Sequence, residues 1–405
     1  MEKTMRSAWP RLLALLATRS HDIAAAEDAL SDAFASALIN WEKSGVPDRP
    51  EAWLLTAARN KLTDGYRSAA WKTGAPLDQE VINTVPTSLF DLANFSGLES
   101  DEIPDERLKL LFVCAHPAVD RTIHTPLMLQ TVLGLDADRV AALFLLPASA
   151  MAQRLVRAKR KIRDARISFD LPTQTDMPER LHGVLEAIYG AYANSHGNTA
   201  RTQSNEALEA VYLADLLVEL MGEEPEVLGL AALINFSVAR QPSTGASVGR
   251  FVPLSKQDTN LWSAERLNRA EDLLLRASRL NKLGRFQVEA AIQSVHCDRR
   301  KTGTTDWQAV TQLYEGLLQL APTIGAAVAQ AAAVGEAHGP QAGLRALDRI
   351  NPDDVAQHQA YWATRAHLLA KSDPIAAKHA YERAVELTES GLVRGFLDTK
   401  LKALQ

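Results

Sequence analysis

A chain of 405 residues is too long for one ordinary domain and calls for two or three. Its 46% hydrophobic and 23% charged residues are ordinary globular values, and no run approaches the ~20 apolar residues of a membrane-crossing helix. A net charge of −5 argues against strong non-specific binding to polyanions, and two cysteines far apart, Cys114 and Cys297, give neither a disulfide framework nor a zinc site.

In chain order, nearly everything reads as helix and strand-type alternation is scarce, so the expected class is all-α. The opening residues lead into an amphipathic segment and not into the apolar core of a signal peptide, which makes the cytoplasm the expected location. Apolar residues recur at helical spacing over Trp9–Leu16 and Ile23–Ile39, with Asp22 as the N-cap of the second stretch. Gly45-Val-Pro-Asp-Arg-Pro50 breaks the pattern before another helix over Ala52–Leu62. From Lys72 to about Pro104 the periodicity weakens, and 72–104 reads as a linker between a first domain, 1–71, and a second, 105–170. Pro172 and Pro178 mark a further joint, the expected hinge to a helical domain over 179–405. Within it Trp307–Pro322 and Ala377–Leu387 both resemble the second helix of a tetratricopeptide unit. Tyr314 and Tyr381 stand 67 positions apart, about two ~34-residue repeats, with Gly343–Pro352 as a degenerate middle copy.

The most informative stretch is Gly134–Ile162. Asp136 is placed to cap a short helix with Val140, Ala141 and Phe144 on its apolar face, and Pro147 and Ser149 start a second helix. Met151, Leu155, Ala158 and Ile162 form the inward stripe of that helix, while Ser149, Gln153, Arg154, Arg157 and Lys161 fall on the other side. This is the pattern of a helix-turn-helix, whose second helix enters the major groove. There arginine reads guanine and glutamine reads adenine, and further basic residues such as Lys159 would hold phosphates. Seven basic residues between Arg154 and Arg166, against Asp164 alone, supply the local positive charge that the whole chain lacks.

The order of this pattern and its tail, Arg154-Leu-Val-Arg-Ala-Lys-Arg-Lys-Ile162, resembles the sigma-4 domain of extracytoplasmic-function sigma factors. Ala26-Glu-Asp-Ala-Leu-Ser-Asp-Ala-Phe34 and Ala52-Trp-Leu-Leu-Thr-Ala-Ala-Arg-Asn-Lys-Leu-Thr-Asp-Gly-Tyr-Arg67 resemble the two helices of that family's sigma-2 domain. The resemblance implies that Asp28, Asp32 and Phe34 meet the clamp of core RNA polymerase. It implies that Asn60, Asp64 and Arg67 read the −10 element of promoter DNA, and that the 149–161 face reads the −35 element. It extends to a subgroup with a long, tetratricopeptide-like C-terminal extension, matched by Arg107–Pro117, Val252–Trp262 and Gln287–His296. Three departures stand out: Ser31 where the family usually has glutamine, Ile188–Tyr192 in place of a more polar pattern, and Ala327-Val328 where an Asn-Arg pair is missing.

The expected function is therefore that of a sigma factor directing transcription initiation, with no catalytic residue, metal or cofactor. Its C-terminal domain regulates it in cis and is open to a protein or small-molecule ligand. The competing readings are a polymerase-independent helix-turn-helix regulator with a helical sensor domain, and a repeat scaffold. An enzyme built on Glu106, His116 and His124 is a further alternative, but no nucleophile-elbow, phosphate-loop or zinc-protease motif accompanies those residues.

Overall fold

A computed structural model describes residues 2–73, 106–144, 146–173, 175–195, 200–245 and 249–404. Side chains at 2–7, 66–73, 194–195 and 200–206 lie outside that description, as do 74–105, which include most of the expected linker. Every regular element among the described residues is a helix, so the fold is all-α. No single described helix is long and apolar enough to cross a membrane.

The chain divides into two compact units, Met1–Ala191 and Tyr192–Gln405. The first holds α1 (Glu2–Ser20), α2 (Ile23–Ser44), α3 (Pro50–Thr73), α4 (Arg107–Cys114), α5 (Arg121–Thr131), α6 (Ala137–Leu143), α7 (Ala148–Asp164) and most of α8 (Met177–Ser195). Local chemistry sets the boundaries. The carboxylate of Asp22 accepts from Ala24 N and Ala25 N at the start of α2, and that of Asp136 accepts from Arg139 N at 2.8 Å at the start of α6.

The Leu12–Ala17 run of α1 is buried throughout, and α1 touches α2 and α3 as well as α4 and α5. The sigma-2-like and sigma-4-like blocks thus share one core. Gly134, at φ +67°, closes the turn after α5, and a Cβ there would stand 3.2 Å from the Pro10 ring. After α7, the buried Phe169 meets the His21 ring edge-on at the turn between α1 and α2. Helix α8 packs on α5: a Cβ at Gly183 would lie 3.6 Å from both His124 Nδ1 and Met128 Cε, and Glu179 pairs with Arg121 at 3.1 Å. The division at Ala191 therefore falls inside α8 and not in the 172–178 joint.

The second unit continues with α9 (Ala200–Met221), α10 (Pro225–Ala239), α11 (Ala264–Arg279), α12 (Arg285–Cys297) and the short α13 (Arg299–Thr302). It ends with α14 (Trp307–Leu320), α15 (Ile324–His338), α16 (Pro340–Leu347), α17 (Pro352–Val355), α18 (Gln359–Leu369), α19 (Pro374–Leu387) and α20 (Gly391–Lys402). From α14 onward each long helix packs on its neighbours in the chain. Tyr381 is buried against Ala366 and Leu397, and Tyr314 packs on the cluster of Val310 and Leu317. Helices α15 and α16 meet on glycine, since a Cβ at Gly343 would stand 2.9 Å from Gly335 Cα.

Helix α12 is capped from another helix. Glu226 of α10 accepts from Phe286 N at 2.9 Å and from Gln287 N at 3.2 Å. Replacing Glu226 by alanine leaves both amides without their acceptor and should destabilise the second unit by about 1–3 kcal/mol. Thermal denaturation checks this, and an unchanged melting profile would assign the capping role elsewhere.

Candidate nucleic-acid and polymerase interface

The face of α2 away from α1 carries charge. Asp28 and Asp32 are exposed, and Lys61 of α3 reaches to 4.0 Å from Asp32. Phe34 is different: it is 9% exposed and stacks on Trp9 with ring centroids 5.3 Å apart. Its spacing from Ile23, Ala26, Leu30, Ala37 and Trp41 puts it on the buried stripe of α2. Phe34 therefore lies beneath the acidic face and adds little to its exposed surface.

On α3, Asn60 and Asp64 are exposed one helical turn apart, and the Arg59 guanidinium donates to Asn60 Oδ1 at 3.2 Å. Arg67 follows on the same face by spacing, but its side chain, like those of Tyr66 and Trp71, lies outside the described residues. Trp53 is half-buried and packs edge-on against Trp41, 5.4 Å away.

Helices α6 and α7 meet at 108°, within the range of helix-turn-helix pairs. Met151, Leu155, Ala158 and Ile162 are buried, and Ser149, Gln153, Arg157 and Lys161 are exposed, as their spacing predicts. Val140 and Ala141 are buried on α6, but Phe144 is 38% exposed, because it falls at the turn where α6 ends. Arg154 is half-buried and donates to Thr122 Oγ1 at 2.6 Å, which parks its guanidinium against α5. Arg154, Arg157 and Lys161 line one groove of about 310 Å³ with Val119, Asp120 and Ile123. The Asp120 carboxyl at its edge is held below its ordinary range by the backbone and hydroxyl of Thr122.

Lys159 does not share this face. It is 7% exposed, and its ammonium donates to both carboxylate oxygens of Glu27 on α2, at 2.5 and 2.6 Å. The role expected of it at phosphates is corrected to an internal ion pair joining the two blocks. Burial pushes the Glu27 carboxyl up, and the Lys159 charge offsets this only in part. Arg163 approaches Asp22 at 4.0 Å beside that pair.

Cys114 and the three residues of the enzymatic alternative, Glu106, His116 and His124, are occupied structurally. Burial pushes the Cys114 thiol up to about 12, and its sulfur lies 3.5 Å from Thr131 Oγ1. His116 Nδ1 accepts from Ala118 N, and His124 Nε2 lies 3.0 Å from the Val119 carbonyl. Burial lowers the pKa of both imidazoles. Glu106 pairs with Lys109 at 2.7 Å.

Residues 5–72 match the sigma-70 region 2 model, the segment that holds α1, α2 and α3. The uncharacterized protein R00370 of Rhizobium meliloti (strain 1021) is 31% identical over 400 residues, covering 97% of this chain and 94% of that one. The chain carries a sigma-70 region 2 domain at its N-terminus, which supports a factor of the sigma-70 family, and it belongs to one family with R00370 over nearly its whole length. Its region 2 gives it a sigma-type role in transcription initiation, with core RNA polymerase and promoter DNA as partners. The sigma-70 family consists of transcription factors, not enzymes. Residues 180–278 match a family of unknown function (DUF6596), which spans most of α8 through most of α11. No solved structure matches the chain.

Proposed function

We propose that the chain is a sigma factor of the extracytoplasmic-function type whose second unit, a tetratricopeptide-like array, regulates the first in cis. Asp28 and Asp32 offer an acidic face to the polymerase clamp. Asn60, Asp64 and Arg67 read the −10 element, and Ser149, Gln153, Arg154, Arg157 and Lys161 read the −35 element. The cytoplasm is the compartment in which such a factor works. The observation that carries this reading is the two-sided α7: an apolar stripe locked into the core, and Ser149, Gln153, Arg157 and Lys161 on the free side of a helix-turn-helix that follows a region 2 domain.

The reading has a mechanical consequence. By their positions, elements at −35 and −10 lie about 25 base pairs apart, roughly 85 Å of duplex at ~3.4 Å per base pair. A compact unit of 191 residues has a radius of gyration near ~16 Å. The α1–α3 block must therefore part from the α4–α8 block on the promoter, and the Glu27–Lys159 pair must break.

Run-off transcription by core polymerase, with and without this chain, tests the reading. Arg157→Ala should cost about 1–3 kcal/mol, a loss of roughly 5- to 150-fold, on the preferred promoter and less on promoters altered at one −35 base pair. Specific duplex binding by the chain alone, with no effect on core polymerase, would favour the polymerase-independent regulator.

A further inference from the structure

The second unit contains a cluster that promoter recognition does not use. Three basic side chains converge from three places: Arg240 just past α10, His296 in the last turn of α12, and Arg299 on α13. All three are half-buried. Arg240 donates to Gln293 Oε1 at 2.6 Å and points a second nitrogen at Cys297 Sγ, 3.9 Å away. Arg299 donates to the Gln257 carbonyl at 3.0 Å and lies over the Trp262 ring, 5.3 Å from its centre. His296 touches the edge of Trp307, with centroids 5.4 Å apart, and neither of its nitrogens has a hydrogen-bond partner among the described residues.

Every acceptor in this set is neutral. Half-buried guanidinium groups are ordinarily paired with carboxylates, because burial costs more when the charge is uncompensated. The carboxylates whose charge reaches Cys297 beside Arg240, Asp298 and Glu271, flank Lys301 at 3.7 and 3.1 Å, and Glu289, which acts with Arg240 on Tyr192, pairs with Arg285 at 2.7 Å. Burial above all, and then the charges of Arg240 and Arg299, take the His296 imidazole down to about 4. Burial and Arg240 lower Arg299 as well.

The arms of the cluster are braced. Trp262 Nε1 donates to Ser243 Oγ at 2.8 Å, and Ser243 Oγ donates to the Arg240 carbonyl at 2.7 Å. Gln257 binds the same hydroxyl and, through Nε2, the Val252 carbonyl. Two stretches that stand out in the sequence, Val252–Trp262 and Gln287–His296, thus come together around Arg240. Guanidinium groups held in place with donors to spare are the usual means of binding a planar or tetrahedral oxyanion.

We propose that Arg240, His296 and Arg299 form a binding site for the oxyanion group, phosphate or carboxylate, of a small ligand. Such a ligand supplies the missing negative charge, and His296 takes up a proton as it binds. The site belongs to the second unit alone and does not depend on how the first unit reads promoters.

The test follows the His296 imidazole by nuclear magnetic resonance in the full-length chain. Its pH titration is compared in inorganic phosphate, in citrate and in sodium chloride of equal ionic strength. A saturable rise of its pKa by about one unit or more, a tenfold shift in protonation, is expected with phosphate or with citrate but not with chloride. Whichever of the two is effective names the group. Arg240→Gln and Arg299→Gln should each abolish the response at unchanged helicity, and if either variant unfolds, the comparison of anions on the natural chain still decides. An equal shift in all three salts would mean screening only. No shift in any of them, or an undiminished response in both folded variants, would overturn the site.

Discussion

Lys159→Met is expected to destabilise the first unit by about 3–5 kcal/mol, the usual cost of removing one partner from a buried ion pair. Without the ammonium, the Glu27 carboxylate keeps its burial and loses the opposite charge that offsets it. Glu27→Leu combined with Lys159→Met should recover most of the loss, because two apolar side chains of similar size satisfy a buried site about as well as a pair. Hydrogen exchange of α2 and α7 amides in the intact chain reads the effect where it arises. Protection there should fall by roughly a hundredfold or more in the single variant, by the conversion of such an energy to an opening equilibrium, and return in the double. A single variant with natural protection would mean that the pair adds nothing to the closed unit. If the two blocks part on the promoter as proposed, the same variant should also bind core polymerase more readily.

What the sequence allows one to read is local. Asp22 and Asp136 announce their caps because the acceptor and the amides it serves are two or three residues apart. The stripe of Met151, Leu155, Ala158 and Ile162 follows from period alone. Phe34 was open to the same reasoning: it sits at helical spacing with Ala26, Leu30, Ala37 and Trp41, and the pattern of a family motif drew it to the surface instead. Lys159 was not open to it. A lysine in a basic run reads as solvated, and its partner Glu27 is 132 positions away. The bond from Arg154 to Thr122 on α5 is of the same kind, since the two residues stand 32 positions apart. The cluster around Arg240 joins residues from 240 to 299, none adjacent in a motif, and only the fold assembles it. Long-range polar pairing leaves no period in a sequence, which is why interior charges and braced clusters go unread while caps and stripes do not.

The same distinction governs where the chain can be cut. Pro172 and Pro178 mark a break in helical pattern, and by that pattern a chain ending at Pro172 would keep a complete promoter-reading half. The core says otherwise. Met177, Leu181, Val184, Leu185 and Ile188 of α8 are all buried, and α8 lies on α5 through Gly183 and Gly190. Burying side chains of this kind is worth about 1.5–3 kcal/mol each, so removing them takes a large part of the roughly 5–15 kcal/mol that a domain has in total. A chain ending at Pro172 should therefore melt about 10 °C or more below a chain ending at Ser195, which keeps α8 whole. Circular dichroism on the two fragments checks this, and melting points within a degree or two of each other would show that α8 is dispensable to the first unit. If the Pro172 fragment melts low as expected, loss of transcription on that truncation reports unfolding and not the release of a regulator. The effect of the second unit has to be read by comparing the full chain with the Ser195 fragment.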